Sequence, residues 1–410
     1  MKKVTVLGGC GAVGSIAVKA LANHDLFSNV VVADIDIDRA KSLTDNIKSN
    51  KMSSEYVNAE DIKSVKQVIK GSDIVLNCVG PFYKSVKTIL NAVIEEKIDY
   101  VDVCDDVDVT LEILDWDQKA KDANITALIG MGSSPGATNL LAKYAADALL
   151  DTTESIDIFH AHGGEPIEGA GVIGHRFHCM TIDIPMYLNG KIEYVKYFEP
   201  DGIALRQTFD FPVLGNNIIL YPYPHPEQIT LPKYIKTNQV TNKGTVIPSE
   251  YYDLTRDICK LGFYDKNPLD VKGQKIVPYD FAIAFILRER DRILKETNFG
   301  QQRGCCSVVV KGIKNDAKQE YRFHMASRSQ ALGEGTGIPA AAGTILMALG
   351  KINKKGVFPP EGCVDPLEFM GVIPQIMKLD SSKTDGQSFG GILVQHIDVN
   401  GKMTEMNLGI

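Results

Sequence analysis

Over the first third of the chain, short unbroken apolar runs alternate with stretches whose apolar positions recur every three or four residues. Residues 3–8 (KVTVLG) form a β-branched run that ends in glycine, and 12–22 (AVGSIAVKALA) place small and apolar side chains on one helical face. A second run, 30–34 (VVVAD), precedes a polar helical stretch at 38–50. Further runs at 73–79 (DIVLNCV), 100–103 (YVDV) and 125–130 (ITALIG) flank a helix from about Ser85 to Glu96. Apolar strands in alternation with helices predict a parallel, doubly wound sheet, whose strands are apolar throughout because helices cover both faces.

The rhythm changes near residue 151. The strand candidates 155–163 (SIDIFHAHG) and 191–199 (KIEYVKYFE) are longer and alternate, and 211–278 is rich in proline and tyrosine, with loops such as 221–227 (YPYPHPE). Antiparallel strands with one exposed face fit this pattern. Residues 305–311 and 321–327 predict a hairpin, and 338–350 (IPAAAGTILMALG) a helix with proline near its start. The expected class is α/β: a dinucleotide-type Rossmann domain over 1–130, completed by the helix at 331–352, then an α+β substrate and dimerisation domain over 131–330. Residues 353–410 are expected as a C-terminal extension.

Composition narrows the partners. The net charge of −7 argues against nucleic acid and anionic membranes. No run of about 18 apolar residues predicts a membrane span. The glycines at 8, 9, 11 and 14 interrupt the N-terminal apolar stretch, so it is expected as strand and turn rather than signal peptide, in a cytoplasmic protein. Eight cysteines without a C-x-x-C pair are expected as reduced, mostly buried thiols.

The chemistry begins at Gly9-x-Gly11-x-x-Gly14, which lies directly between the first strand and the first helix. There the first glycine permits a tight turn, the second admits the pyrophosphate, and the third lets helix and strand touch. With Ala12 and Val13 these residues would present the helix N-terminus, with its free N–H groups, to an anion. Asp34 closes the second strand twenty residues beyond Gly14, where a carboxylate binds ribose hydroxyls and repels a 2′-phosphate. NAD is therefore the expected cofactor. NADP is the alternative, because Arg39 could reach a 2′-phosphate and Asp36 could serve as the ribose ligand. Cys78, Val79, Gly80 and Pro81 close one strand and Gly132 and Ser134 follow another, at the strand ends where such sheets bind ligands. Ser134 is the expected N-cap of a helix beginning at Pro135.

Taken in order, VLGGCGAVG, VVVADID, NCVGPFYKSVKTILNAVIEEKIDYVDVCDD, GMGSSPGATNLLA and ALGEGTGIPAAAG resemble the saccharopine dehydrogenase-like family. The resemblance covers residues 1–150 and 331–350 and is loose between them. It implies a discontinuous Rossmann domain, a sheet-based substrate and dimerisation domain, and hydride transfer at a C–N bond of an amino acid, diamine or polyamine. It also implies a homodimer and cofactor contacts at Gly9–Gly14, Asp34, Cys78–Pro81 and Asp105.

Such chemistry needs a hydride acceptor, a base for the nitrogen's proton, and charged groups that hold the substrate. Asp105 and Asp106 are candidates for a substrate ammonium. Segment 160–180 gathers His160, His162, Glu165, Glu168, His175, Arg176 and His178 among glycines, in what is expected to be a loop that closes on substrate. His175 and His178 are candidate bases; Arg176 and Arg328 are candidates for a substrate carboxylate. His160-x-His162 with His175-x-x-His178 could hold zinc, but no cysteine stands at ligand spacing and no metal is expected. Two other readings stay open: a carbonyl or alcohol oxidoreductase, for which Tyr83-x-x-x-Lys87 is a matching pair, and a non-catalytic NAD-binding regulator.

Overall fold

A computed structural model describes residues 1–165, 168–327, 331–379 and 391–407. The N-terminal strands are β1 (Lys2–Leu7), β2 (Phe27–Asp34), β3 (Met52–Tyr56), β4 (Ile74–Asn77), β5 (Asp99–Asp102) and β6 (Thr126–Leu128). Helices α1 (Ala12–Ala22), α2 (Ile37–Ile47), α3 (Ile62–Ile69) and α4 (Phe82–Glu96) link the first five. Val4 to Leu7 are all buried, as a strand covered on both faces must be.

The second domain contributes β7 (Thr152–Gly163), β8 (Asp183–Leu188), β9 (Lys191–Lys196), β10 (Gln207–Phe211), β11 (Gly215–Pro222) and β12 (Gln239–Val246). A small hairpin, β13 (Leu269–Val271) and β14 (Gln274–Ile276), precedes β15 (Arg303–Lys314) and β16 (Ala317–Ser327), and β17 (Gly356–Phe358), β18 (Ile392–Ile397) and β19 (Met403–Met406) complete the described strands. Among these residues the first sheet is parallel, in the order β17-β6-β5-β4-β1-β2-β3. The mixed sheet runs β10-β11-β12-β7-β15-β16-β18-β19, with β8 and β9 attached through β12. β15 and β16 form the expected hairpin, in register from Gly304 opposite Ser327 to Lys314 opposite Ala317.

One feature corrects the domain boundaries. The segment after 353 is not a separate extension: β17 pairs with β6 as an edge strand of the Rossmann sheet, whereas β18 pairs with β16 in the mixed sheet. The late helix, Ala331–Ala348, starts where the domain-completing helix was expected and carries Pro339 inside it rather than near its start. It lies against α1 so closely that a Cβ on Gly337 would fall 2.7 Å from the Val13 carbonyl oxygen. Small residues in GTGIPAAAG make that approach feasible. One core runs without interruption from Val4 and Val6 through Leu141 and Ala341 to Ile158, Val308 and Phe323 on the inner face of the mixed sheet.

A further correction concerns 160–180. Residues Ala170–Thr181 form a helix despite their glycines. Ile173, Phe177 and Met180 make a buried stripe one helical turn apart, packed with Tyr251 and Ile286. Burial of such side chains at about 1.5–3 kcal/mol each outweighs the cost of about 1 kcal/mol for a helical glycine. Gly174 is needed there, because its Cβ would meet the Tyr279 hydroxyl at 2.1 Å. No helix among the described residues is long and apolar enough to cross a membrane.

Candidate active site

The glycine turn separates structural glycines from one the fold does not need. A Cβ on Gly14 would lie 2.2 Å from the Gly8 carbonyl oxygen, so this position lets α1 meet β1. Gly8 itself has φ +71° and rests on the backbone of Cys78 and the side chain of Val79. Gly9 is confined by Val32. Gly11, the α1 N-cap, has extended backbone open to any residue, and its Cβ would meet only the Gly8 oxygen, at 3.3 Å. The N-cap bears no capping side chain, so the first-turn N–H groups of Ala12 and Val13 face outward without a helical acceptor. Open space over unsatisfied donors is what a pyrophosphate requires.

A cleft of about 220 Å³ continues from this turn, lined by Gly8, Asp34, Asn58, Val79, Gly80 and Pro81. Asp34 accepts the Cys10 N–H at 3.2 Å and the Asp36 N–H at 3.1 Å, which fixes its carboxylate at the cleft. Arg39 donates to the Cys10 carbonyl at 3.1 Å, on the same rim. Burial pushes the Cys10 and Cys78 thiols up to about 12, so neither is a nucleophile here.

The loops after β5 and β6 are tied by Asp102, a residue the sequence patterns did not single out. Its Oδ1 accepts the N–H groups of Cys104 at 3.0 Å and Gly130 at 2.7 Å. Burial raises this carboxyl to about 6, against the opposing effect of those donors. Gly132 packs against Thr336 of the late helix, where a Cβ would come within 2.9 Å. Ser134 does not cap a helix: the N-cap is Gly136, and the helix starts at Ala137. The Ser134 hydroxyl instead donates to Glu227 at 2.5 Å and lies 3.1 Å from His225 Nδ1.

Helix Ala170–Thr181 carries the second domain onto these strand ends. His175 Nδ1 is 3.3 Å from Asp106, and its Nε2 is 3.8 Å from Asp105 and 3.4 Å from the Cys179 sulfur. Burial opposes charge on His175, but Cys179, Asp105 and Asp106 outweigh it and hold the imidazole well above its usual pKa. Asp105 is shifted upward by desolvation, which its neighbour His175 offsets in part. His178 pairs with Asp108 at 3.3 Å and stacks on Tyr83, whose N–H bonds Asp106. His175 is thus engaged as a cationic partner of carboxylates rather than a free base, and His178 faces Asp108.

Arg176 points the other way. Only 3% exposed, it pairs with Glu168 at 2.5 Å and donates to Tyr251, and Arg290 closes on the same Glu168 at 2.8 Å. The stripe that buries Phe177 turns Arg176 inward beside it, so it is not available to a substrate carboxylate. Arg328 lies outside the described residues. His160 and His162 do not converge with the helix histidines: His160 bonds Asn242 and His162 bonds Glu165. Lys87 is paired with Glu112, which separates it from any role with Tyr83 at a nicotinamide.

The other wall comes from the proline-rich stretch. Tyr223 lies between His175 and His225, with ring centroids 6.4 and 5.2 Å away, and His160 stacks on His225 at 5.5 Å. A Cβ on Gly244 would enter the His160 ring, so glycine on β12 makes its place. Tyr223, His225, Glu227 and Asn242 were missed in the sequence. Only a histidine held between prolines and followed by a glutamate, in YPYPHPE, hinted at them.

Residues 4–128 match the family described as the saccharopine dehydrogenase NADP binding domain. The chain is 25% identical over 401 residues to the carboxyaminopropylagmatine dehydrogenase of Synechocystis sp., covering 92% of this chain and 96% of that protein. It is 24% identical over 408 residues to the carboxynorspermidine synthase of Vibrio alginolyticus, covering 90% and 94%. In fold it resembles apo saccharopine dehydrogenase (L-Glu forming) from Saccharomyces cerevisiae, with TM-score 0.66 over 97% of this chain and 100% of that one, at 16% identity. These likenesses, with the glycine turn and the carboxylate that closes β2, mark the chain as an NAD(P)-dependent oxidoreductase. Within that class the chain is similar to the saccharopine dehydrogenase group over its N-terminal domain.

Proposed function

We propose that the chain transfers a hydride at a C–N bond of a cationic, polyamine-type substrate bound between the two domains. The observation that carries this reading is the meeting of Asp105, Asp106 and His175 past the carboxyl end of β5. When bound, NAD(P) supplies the hydride acceptor. Gly11 and the first turn of α1 would hold its pyrophosphate, and Asp34 its ribose. Asp34 favours NAD, while Arg39 on the same rim allows NADP. Asp105, the more open of the paired carboxylates, orients a substrate ammonium. The names of the relatives point to carboxylated polyamine and agmatine derivatives, and the Asp105 and Asp106 carboxylates suit such cations. A cytoplasmic homodimer is the expected working form, to be read from sedimentation of the purified protein.

The test is cofactor reduction, followed by absorbance, over diamines, polyamines, their N-carboxyalkyl derivatives and guanidino amines, with hydroxy acids and alcohols as controls. Turnover confined to amines is expected. Equal turnover of alcohols would refute the C–N assignment.

A further inference from the structure

The C–N reading needs a group that takes the proton from nitrogen, and the histidines expected for it are committed elsewhere. His175 has both nitrogens engaged by carboxylates and a thiol, and His178 lies against Asp108. Desolvation of His160, with the neighbouring His225 and His162, holds its pKa well below the usual value. We propose that His225 is the acid–base residue of this site and that Glu227 is its positioning residue, an inference that rests on the proposed C–N chemistry.

The geometry favours His225 on three counts. Its Nδ1 lies 3.3 Å from Glu227 Oε2 and 3.1 Å from the Ser134 hydroxyl, so one ring nitrogen faces a carboxylate. Its Nε2 has no hydrogen-bond partner among the described residues, and it is not one of the buried, unpartnered polar atoms. The ring also stands in the right place, since Tyr223 spans from it to His175. A carboxylate on one nitrogen with the other directed at substrate is how an imidazole is held in one tautomer and made ready to accept a proton.

Glu227 is suited to its part. It is fully buried; burial alone would raise its pKa, but His225 and the Ser134 hydroxyl hold it below the usual range, as a carboxylate. Thr138 donates to it at 2.9 Å. The His225 backbone is fixed in turn by Gln228, which accepts its N–H at 2.9 Å and donates to the Tyr223 carbonyl. In the step assigned, the substrate ammonium gives one proton to His225 Nε2 and so frees the nitrogen lone pair. The C–H bond breaks with its electron pair leaving as hydride to the bound NAD(P), and the lone pair forms the C=N bond. The amine carbon is oxidised, the dinucleotide is reduced, and the proton remains on His225, which Glu227 stabilises as the cation. Reduction of the C=N bond runs these events in reverse.

The test compares wild type, His225→Asn, Glu227→Gln and Glu227→Asp in amine oxidation against pH, with dinucleotide affinity measured by titration as the check on folding. General acid–base catalysis contributes about 10²–10⁴-fold, so His225→Asn is expected to lose that much in kcat/KM while binding the dinucleotide as before. The fall of kcat/KM at acidic pH, where the base becomes protonated, should vanish in the same variant. Glu227→Gln should move that limb to lower pH, and Glu227→Asp should restore it in part, which a merely structural glutamate would not do. Should His225→Asn fail to bind dinucleotide, the pKa of His225 in the wild type, followed by NMR, must coincide with the acidic limb; a mismatch overturns the assignment. So does a His225→Asn protein that keeps activity within about threefold and an unchanged pH profile. A wild type that binds dinucleotide and oxidises no amine instead removes the C–N reading, and the role of His225 with it.

Discussion

Gly11→Val separates a residue kept for the fold from one kept for a ligand. The Gly11 backbone is extended, and a side chain there meets only the Gly8 carbonyl oxygen at 3.3 Å. Valine should therefore leave stability within about 1 kcal/mol of wild type, the change being small because the Gly8 carbonyl has to give by only a few tenths of an ångström. The same methyl groups stand where the pyrophosphate must approach the N–H groups of the first turn. Displacing the anion from two such donors, at about 1.5–3 kcal/mol for each hydrogen bond to a charged group, predicts roughly 10²-fold or more weaker dinucleotide binding. Gly14→Ala is the control: its Cβ would fall 2.2 Å from the Gly8 oxygen, so backbone must shift, at about 1–3 kcal/mol or more of stability. Equilibrium denaturation and fluorescence titration with NADH and NADPH read the two effects. A stable Gly11→Val protein that keeps wild-type affinity would refute the placing of the pyrophosphate.

Four further outcomes follow from named contacts. Arg176→Ala should destabilise the protein by about 3 kcal/mol, the lower end for a broken buried pair because Arg290 still faces Glu168, with little change in kcat/KM per folded molecule; a large rise in KM at unchanged stability would contradict its burial. Asp34→Ser should raise the NADP to NAD selectivity by removing a like charge from the 2′-phosphate position, and Arg39→Ala should lower it, both read from paired kcat/KM values. Asp105→Asn should lower kcat/KM for amines at least tenfold while dinucleotide affinity stays as in wild type; loss of affinity instead would place Asp105 at the cofactor. Burial would raise Glu165, but His162, 2.6 Å away, holds it at about 2. A carboxyl depressed on folding contributes stability that is complete above its usual 4.5 and lost as pH falls toward 2. His162→Asn should flatten the denaturation midpoint over that interval, and an unchanged slope would contradict the pairing.

The Rossmann half was legible in the sequence because its signals are local. Apolar strands, Gly9 to Gly14 and Asp34 follow one another within a single βαβ unit, and their spacing carries the geometry. The candidate site's other wall was not, because its parts meet only through tertiary packing. Arg176, His175 and His178 were all expected to face the substrate; a helix rather than a loop was needed to send Arg176 inward with Phe177 and the two histidines outward to Asp105, Asp106 and Asp108. His225 and Glu227 face Ser134 across more than ninety residues of sequence, where no periodicity relates them. The division of 353–410 between two sheets was hidden for the same reason: a three-residue strand such as Gly356–Phe358 carries too little pattern to reveal its partner.

The central claim, hydride transfer from a carbon bonded to nitrogen, is tested most directly with an amine substrate deuterated at that carbon. The account predicts that the deuterium appears in the reduced dinucleotide, one atom per turnover, and that the rate falls when hydride transfer limits it. Reduced dinucleotide formed without deuterium would contradict the account.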